Sequence, residues 1–469
     1  MDYDVIVLGG GGAGLAAAVT AATAGARVLL VEAGDHLGGS TAMSAGVFYA
    51  GETSVQRAAG VQDDLERMFR YYMAINQWAL EPGLVKRYCT ESAPALEWLL
   101  ELGVKYPPEL LYVSGVDDTA RGHQCVGGGA GLVAVLAEHA RTLGVDVRLG
   151  TRVERLVVDD HGVRGVVIDS APVTAGATVL ATGGFGANPD LLAEYFPAAL
   201  RHGPRWTNYF GNPTSRGDGI TMTRELGADV VGAGWGMLNW TAGFTHEPAD
   251  FCPPWIVFVN LDGRRFMAED AAYAVAGNLM DQQPEARCYA ILDEAARVSS
   301  DDSNERRDKL GVGEYTWSAE TILAKYDEGL VPRATTLAEL AGLAGIDAAG
   351  LTNTIDRYNA DARAGVDTAF CKAGPLREIK DGPFYAVEVR AATFGNTFPG
   401  LRIDRDARVQ RTDGATIAGL YAAGEAAGGV MGTRYIGGGN AVGNAIIFGR
   451  IAGHAAAREA GALAARTSP

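Results

Sequence analysis

Apolar residues run unbroken from Val5 to Leu8, and the six residues Gly9–Gly14 that follow include five glycines. The β-branched run Asp4-Val-Ile-Val-Leu8 has the pattern of a strand buried on both faces. Leu15–Ala24 is Ala-rich and predicts a helix, which Gly25 ends. Arg27–Val31 predicts the next strand, so the chain begins with a βαβ unit. Val5–Ala26 carries no charge and is long enough to cross a bilayer. Its five glycines before Gly25, its two threonines and its change of period midway predict strand, turn and helix instead. No membrane span is expected. Met1–Asp4 leads straight into the strand with no basic segment, so no signal peptide is expected either.

Further along, Val145–Leu149 and Arg152–Val158 have strand character. Gly162–Ile168 reads as a hairpin partner across the turn signal Asp159-Asp-His-Gly162. His123–Gly129 predicts a loop entering a helix near Leu132. Thr178–Gly184 is a buried strand ending in a glycine turn. From about 246 to 395 the pattern changes to more charge, short mixed helices and many aromatics. Gly419-Leu-Tyr-Ala-Ala-Gly424 then restores a buried strand, followed by a second glycine-rich turn and a helix over Asn440–Ala457. The fold expected is α/β: a Rossmann-like nucleotide-binding domain of the glutathione-reductase type, with an inserted α+β capping domain. The nucleotide-binding domain is made from both ends of the chain, 1–245 and 396–469. The insertion, 246–395, is expected to handle substrate.

Composition narrows the function. The 469 residues carry 40 Lys and Arg against 56 Asp and Glu, a net charge of −16. That balance argues against nucleic acid and against an anionic membrane surface as partners. The five cysteines (Cys89, Cys125, Cys252, Cys288, Cys371) are scattered, with no C-x-x-C pair. No disulfide framework, zinc site, iron–sulfur site or haem attachment is readable, the histidines form no ligand cluster, and no metal is expected. The expected compartment is the reducing cytoplasm.

Gly9-x-Gly11-x-x-Gly14, with Gly12 and Ala13 inside it, follows a strand and opens a helix. Such a turn lets main-chain N–H groups approach a pyrophosphate at the positive end of the helix. Glu32 ends the second strand eighteen residues after Gly14, where a carboxylate can accept hydrogen bonds from a ribose. The set predicts a dinucleotide site and does not choose between NAD and FAD.

Other segments make the choice: Gly38-Gly39-Ser40-Thr41, Ala42-Met-Ser44-Ala-Gly46, Ala181-Thr182-Gly183-Gly184 and Gly419–Glu425. With these, the whole chain resembles the flavoproteins of the fumarate reductase and 3-ketosteroid dehydrogenase superfamily. The resemblance implies FAD bound noncovalently, because Ser40 stands where the covalent members carry a histidine. It implies cofactor contacts at Gly9, Gly11, Gly12, Ala13, Gly14, Glu32, Ala33, Gly39, Ser40, Thr41, Ser44, Val153, Ala181, Thr182, Gly183, Gly424, Glu425, Asn440, Ala441 and Val442. Glu425 would serve the ribityl or phosphate region, and Asn440–Val442 the pyrimidine edge.

The resemblance also places the catalytic groups. Asp262-Gly-Arg-Arg-Phe-Met-Ala-Glu269 matches the segment leading to the family's proton-transfer group, which falls four residues after Glu269, at Tyr273. Fumarate reductases keep an Arg there; 3-ketosteroid 1-dehydrogenases keep a Tyr that acts as base. Gly428–Tyr435 matches the segment in which fumarate reductases bind a substrate carboxylate through Arg, and Tyr435 occupies that position. Tyr435-Ile-Gly-Gly-Gly439 is similar to the ketosteroid dehydrogenase pattern whose Tyr hydroxyl and Gly amide bind a ketone oxygen. Thr393-Phe-Gly-Asn396 stands where fumarate reductases have a substrate-binding His. Arg434 is a candidate carboxylate ligand, Asn396 a candidate substrate contact, and Tyr112, with Tyr106 in the same stretch, a candidate assisting tyrosine. His123 and Cys125 are read as structural.

The function expected is that of an FAD-dependent dehydrogenase or reductase acting on CH–CH bonds, most similar in its site pattern to 3-ketosteroid 1-dehydrogenases. Tyr435 and the Gly439 amide polarise the carbonyl of a ketone or enone, steroids included. Tyr273 takes the α proton, and a hydride passes to flavin N5. Two rivals stand beside it: a fumarate-reductase-like reductase of unsaturated carboxylates, and a flavin-binding electron-transfer subunit without turnover. A separate electron acceptor or donor is expected in any case.

Overall fold

The computed structural model describes residues 1–245, 255–299, 317–373 and 375–467. Cys252 and residue 246, the expected start of the insertion, lie outside them. The chain divides into two compact units: Met1–Ala198 with Gly211–Met237 and Gly395–Pro469, and Ala199–Phe210 with Leu238–Phe394.

The first unit is built on a parallel sheet. Strands Thr416–Ala422, Ala171–Leu180, Tyr3–Leu8, Val28–Val31 and Asp146–Arg148 lie side by side in that order. Tyr3–Leu8 is parallel to both of its neighbours, and Arg408–Gln410 adds an antiparallel edge. Val5, Ile6 and Val7 are fully buried, as a strand covered on both faces requires. The hairpin Arg155–Asp159 and Gly162–Ile168 joins the same sheet. The first helix spans Gly12–Thr23, so it starts three residues before Leu15. Gly14 explains the early start, because a Cβ there would lie 1.8 Å from the Gly9 carbonyl oxygen. Only a glycine lets helix and strand close this tightly, and that packing outweighs the low helix propensity of the type. The last helix runs over Asn440–Thr467 and packs along the first.

Two further helices of this unit, Leu65–Ile75 and Pro82–Glu101, are not among the expected elements, although Asp64 caps the first and Pro82 opens the second. The helix expected from Leu132 begins at Gly128, after Gly127 in the left-handed region. The fold class is therefore the Rossmann-like α/β arrangement, and the carboxyl ends of its strands are where such sheets bind ligands.

The second unit is an α+β body. Strand Cys288–Asp293 pairs antiparallel with Val257–Asn260 and with the long strand Phe384–Thr397. Asn208–Tyr209 pairs with Thr393 and Phe394, and Gly236–Ala242 also joins this sheet. Helices Leu337–Ala344 and Ala348–Ala364 cover one face through Leu340, Leu351, Ile355 and Tyr358.

Candidate active site

The glycine turn of the first unit forms as its residue types require. Gly9 has φ +102°, and a Cβ on it would lie 2.2 Å from the Ala181 carbonyl oxygen. The first helix begins with Gly11 as its cap, which has no side chain to accept from the leading amides. The Thr41 hydroxyl accepts only the Gly12 amide, at 3.2 Å. Unclaimed amides at a helix N-terminus suit an anion. Glu32 is buried, and its two carboxylate oxygens accept the amides of Gly10 and Gly34, each at 2.7 Å. These bonds aim the carboxylate and leave it capacity for two further donors, as a ribose diol provides.

The other predicted cofactor positions fall in the same unit. Ser40 accepts the Asn212 amide at 3.0 Å. Ser44 donates to the Thr41 carbonyl and accepts from the Gly46 amide, so its hydroxyl shapes its own turn. The Ala181 amide continues the sheet onto Leu8, and Thr182 accepts from the Gly219 amide. Gly39, Gly183 and Gly424 all hold positive φ. Val153 packs on the core, and Ala33 is half-buried beside Glu32.

At the start of the last helix Asn440 is fully buried. One end of its amide meets the Tyr72 hydroxyl at 2.9 Å, while Nδ2 has no partner. A buried, partnerless polar atom is costly, and a ligand group at this end would satisfy it. The glycine turn, the aimed carboxylate and this orphaned amide together fit FAD.

Glu425 is enclosed. Its Oε1 accepts the Thr397 amide at 2.6 Å and the Thr397 hydroxyl at 2.9 Å, and its Oε2 accepts the Asn396 amide at 3.3 Å. Burial raises its pKa against those bonds. Asn396, a candidate substrate contact from sequence, is thus placed on Glu425.

Tyr435 is buried and stacks on Phe398, with ring centroids 6.3 Å apart. Its hydroxyl oxygen accepts the Ala441 amide at 3.2 Å. Burial pushes its pKa up to about 12, against the pull of the Ala441 and Gly439 amides, and Tyr112 adds to the rise. Tyr435, Gly439, Ala441 and Tyr112 therefore converge. Gly439 must be glycine: its φ is +98°, and a Cβ would lie 2.7 Å from the Tyr49 amide nitrogen. Arg434 donates to the Thr433 carbonyl at 2.8 Å and has no carboxylate partner among the described residues. Tyr106 lies in the core, edge-on to Phe48.

In the second unit Tyr273 opens the helix Tyr273–Asp281 and is half-buried. The positive end of a helix is where negative charge on a side chain is best accommodated. The loop before it is tied down by buried ions. Arg265 reaches both oxygens of Glu269, at 2.8 and 2.7 Å, and both of Asp367, at 3.0 and 2.9 Å. Lys372 adds a contact to Glu269 at 3.3 Å. Burial alone would raise Asp367, yet the Arg265 bonds and nearby amides hold it well below the carboxylate range. Asp270 accepts the Ala373 amide at 2.8 Å.

His123 is enclosed, between the Thr53 hydroxyl at Nε2 and the Phe48 and Arg121 carbonyls at Nδ1. Burial lowers its pKa to about 4 and raises that of Cys125 to about 11, which leaves both without the charge a nucleophile pair needs. Among the described residues no cluster of metal-ligating side chains is found, and no helix is long and apolar enough to cross a membrane.

Two groups went unread in the sequence. One is a buried set in which Arg121 binds Asp63 and Asp117, while Tyr49 donates to Asp117 at 2.7 Å. The other is Asn76 with Tyr71 and Tyr72, which hold the segment carrying Tyr435. The partners of the second group lie some 360 residues away along the chain, and Asp63 lies 58 from Arg121, so no local pattern marks these sets.

A strand, a glycine turn and an acid-tipped second strand, with an unclaimed helix end, define a dinucleotide-binding oxidoreductase fold. Residues 4–442 match the family described as FAD binding domain, and the chain belongs to it. Over 97% of its length it is 32% identical to a probable fumarate reductase, Ifc3, of Shewanella frigidimarina, covering 75% of that protein. It is 30% identical to the vinyl phenol reductase of Lactiplantibacillus plantarum, covering 97% of both chains. The structure of 3-ketosteroid-delta4-(5alpha)-dehydrogenase from Rhodococcus jostii RHA1, in complex with 4-androstene-3,17-dione, superposes with a TM-score of 0.80 at 28% identity. That match covers 97% of this chain and 96% of the other. The chain is thus an FAD-dependent oxidoreductase of the fumarate reductase and ketosteroid dehydrogenase family, acting on carbon–carbon double bonds.

Proposed function

We propose that this enzyme interconverts a ketone and its α,β-unsaturated form, in the manner of a 3-ketosteroid dehydrogenase, with FAD bound noncovalently. The observation that carries the reading is the Tyr435 hydroxyl. Its oxygen accepts the Ala441 amide beside Gly439, and in the proposed complex its proton is donated to the substrate carbonyl. Burial keeps that proton on the phenol at neutral pH. A carbonyl oxygen receiving the Tyr435 proton and the Gly439 amide gains stabilisation as it becomes an enolate. Tyr273, at the positive end of its helix, removes the α proton, and in the reverse direction returns it. FAD, held by Glu32, Glu425 and the turn at 9–14, would supply the acceptor for the hydride lost from the β carbon.

The second unit, with Tyr273, serves as the substrate domain. The first unit holds the cofactor through Glu32, Glu425 and the turn at 9–14. Electrons leave to a separate carrier.

Arg434 favours a second reading. It is a half-buried cation without a carboxylate partner among the described residues, and among the relatives is a probable fumarate reductase. In that reading it clamps an unsaturated carboxylate.

Mixing the yellow protein anaerobically with saturated ketones and saturated dicarboxylates separates the two. Bleaching of the flavin by ketones with an acidic α C–H supports the first. Bleaching by dicarboxylates alone replaces it with the second, and no bleaching by either, with no turnover using artificial electron acceptors, leaves an electron-transfer role. Acid precipitation should release the flavin into the supernatant; flavin retained in the pellet would end the noncovalent assignment.

A further inference from the structure

The segment that carries Tyr435 is rich in glycine (Gly432, Gly437, Gly438, Gly439) and by composition would not hold one shape. Three side chains from one short stretch pin it. Asn76 follows the helix Leu65–Ile75 and is fully buried. Its Nδ2 donates to the Tyr72 carbonyl at 3.0 Å, which orients the amide. Its Oδ1 then accepts the amides of Thr433 at 2.6 Å and Arg434 at 2.9 Å, and the Thr433 hydroxyl at 3.3 Å. A Cβ on Gly432 would lie 2.0 Å from that oxygen, so the bare glycine lets the turn close over it. Tyr71 donates to the Ile436 carbonyl at 2.6 Å, and Tyr72 to the Val430 carbonyl at 2.7 Å. The stretch bends sharply to do this. Gln77 and Trp78, neither of them glycine, hold φ of 52° and 57° directly after Asn76. Consecutive left-handed residues persist only where the surroundings impose them.

We propose that Asn76, helped by Tyr71, is a positioning residue for the reaction: by capturing the amides at 433 and 434 it sets the direction of the Tyr435 hydroxyl one residue on. The inference rests on the reading of Tyr435 given above. Asn76 touches neither the hydroxyl nor the reacting atoms. It acts through main-chain direction, where a misplacement of about 1 Å can cost on the order of 10² in rate.

The test is a double-mutant cycle in the FAD-loaded enzyme, with the best substrate from the ketone and carboxylate panel. Asn76→Ala should lower kcat by about 10–100-fold, with KM and FAD content within about twofold of wild type. Asn76→Asp keeps an oxygen acceptor for the two amides and should recover part of the loss. In a Tyr435→Phe background, Asn76→Ala should cost less than about threefold, because the group it positions is gone. Full additivity, or a loss of kcat that tracks loss of FAD, would make Asn76 merely structural and overturn the proposal. If Tyr435→Phe is impaired and Asn76→Ala is not, the Asn76 assignment alone falls. If Tyr435→Phe turns over normally, the reading of Tyr435 falls and takes the positioning role with it. Where Asn76→Ala does not fold, Tyr71→Phe removes one pin with the ring retained. It should reduce kcat alone, by about 3–10-fold, and an unchanged kcat counts against the proposal.

Discussion

The hydroxyl oxygen of Tyr435 accepts the main-chain N–H of Ala441 at 3.2 Å. The contact joins a glycine-rich turn to the first residues of the helix Asn440–Thr467. It decides what the phenol can do. With its oxygen engaged by an amide and its pKa raised by burial, Tyr435 is suited to donate a proton in a hydrogen bond and unsuited to act as a base.

Substituting Tyr435 by Phe should therefore slow the chemical step by about 10²–10³ for a ketone whose oxygen becomes an enolate. Arg434→Ala supplies the contrast. A ketone enzyme tolerates it, whereas a carboxylate enzyme loses a charge-assisted bond and most of its affinity. Flavin reduction followed in single turnover with one substrate decides the matter. Greater damage from Arg434→Ala than from Tyr435→Phe would put the carboxylate mechanism in place of the ketone one.

How far the sequence could be read depended on distance along the chain. Gly9, Gly11, Gly14 and Glu32 were legible because strand, turn and helix follow one another within thirty residues. The helix begins at Gly12 and not at Leu15, since close packing against Gly9 overrode propensity. Asn396 was legible as a residue of interest, but its partner Glu425 comes from another strand end. Asn76 was not legible at all. It lies at a turn made without Gly or Pro, through Gln77 and Trp78, and bonds to Arg434 across the whole fold. The ions Arg265, Glu269, Asp367 and Lys372 are half visible, since the first pair has helical spacing and the second pair comes from a hundred residues on.

His123 makes stability depend on pH in a known direction. Its folded pKa lies near 4, below the unfolded value of 6.5, because burial disfavours the imidazolium. The unfolded chain binds a proton as pH falls through 6.5, and the folded protein does not until about pH 4. Stability from this group is full above pH 6.5 and is lost as pH falls to 4, by roughly 3 kcal/mol in all. His123→Asn keeps a donor toward the Phe48 carbonyl and cannot titrate. Thermal midpoints of the two proteins, measured from pH 7.5 to 4.5, should therefore converge as pH falls. Parallel curves would show that His123 titrates alike in the folded and the unfolded chain.

In the proposed mechanism Tyr273 is the residue that transfers the proton. It stands at the first position of its helix, four residues after Glu269. Glu269 is immobilised by Arg265 and Lys372 behind it. An anchored loop followed by a helix N-terminus gives a phenol both a fixed location and a favourable potential for negative charge. Tyr273→Phe keeps the ring and the helix start, so FAD content and substrate affinity should stay near wild type. The rate of flavin reduction should fall by about 10²–10⁴, the usual cost of removing a general base. The kinetic isotope effect separates this role from a steric one. With the base gone, α-deuteration of the substrate should slow the residual reaction more than it slows the wild type, because proton removal then limits the step. A Tyr273→Phe enzyme that reduces its flavin at the wild-type rate would remove Tyr273 from the mechanism, and another residue of the second unit would have to carry the proton.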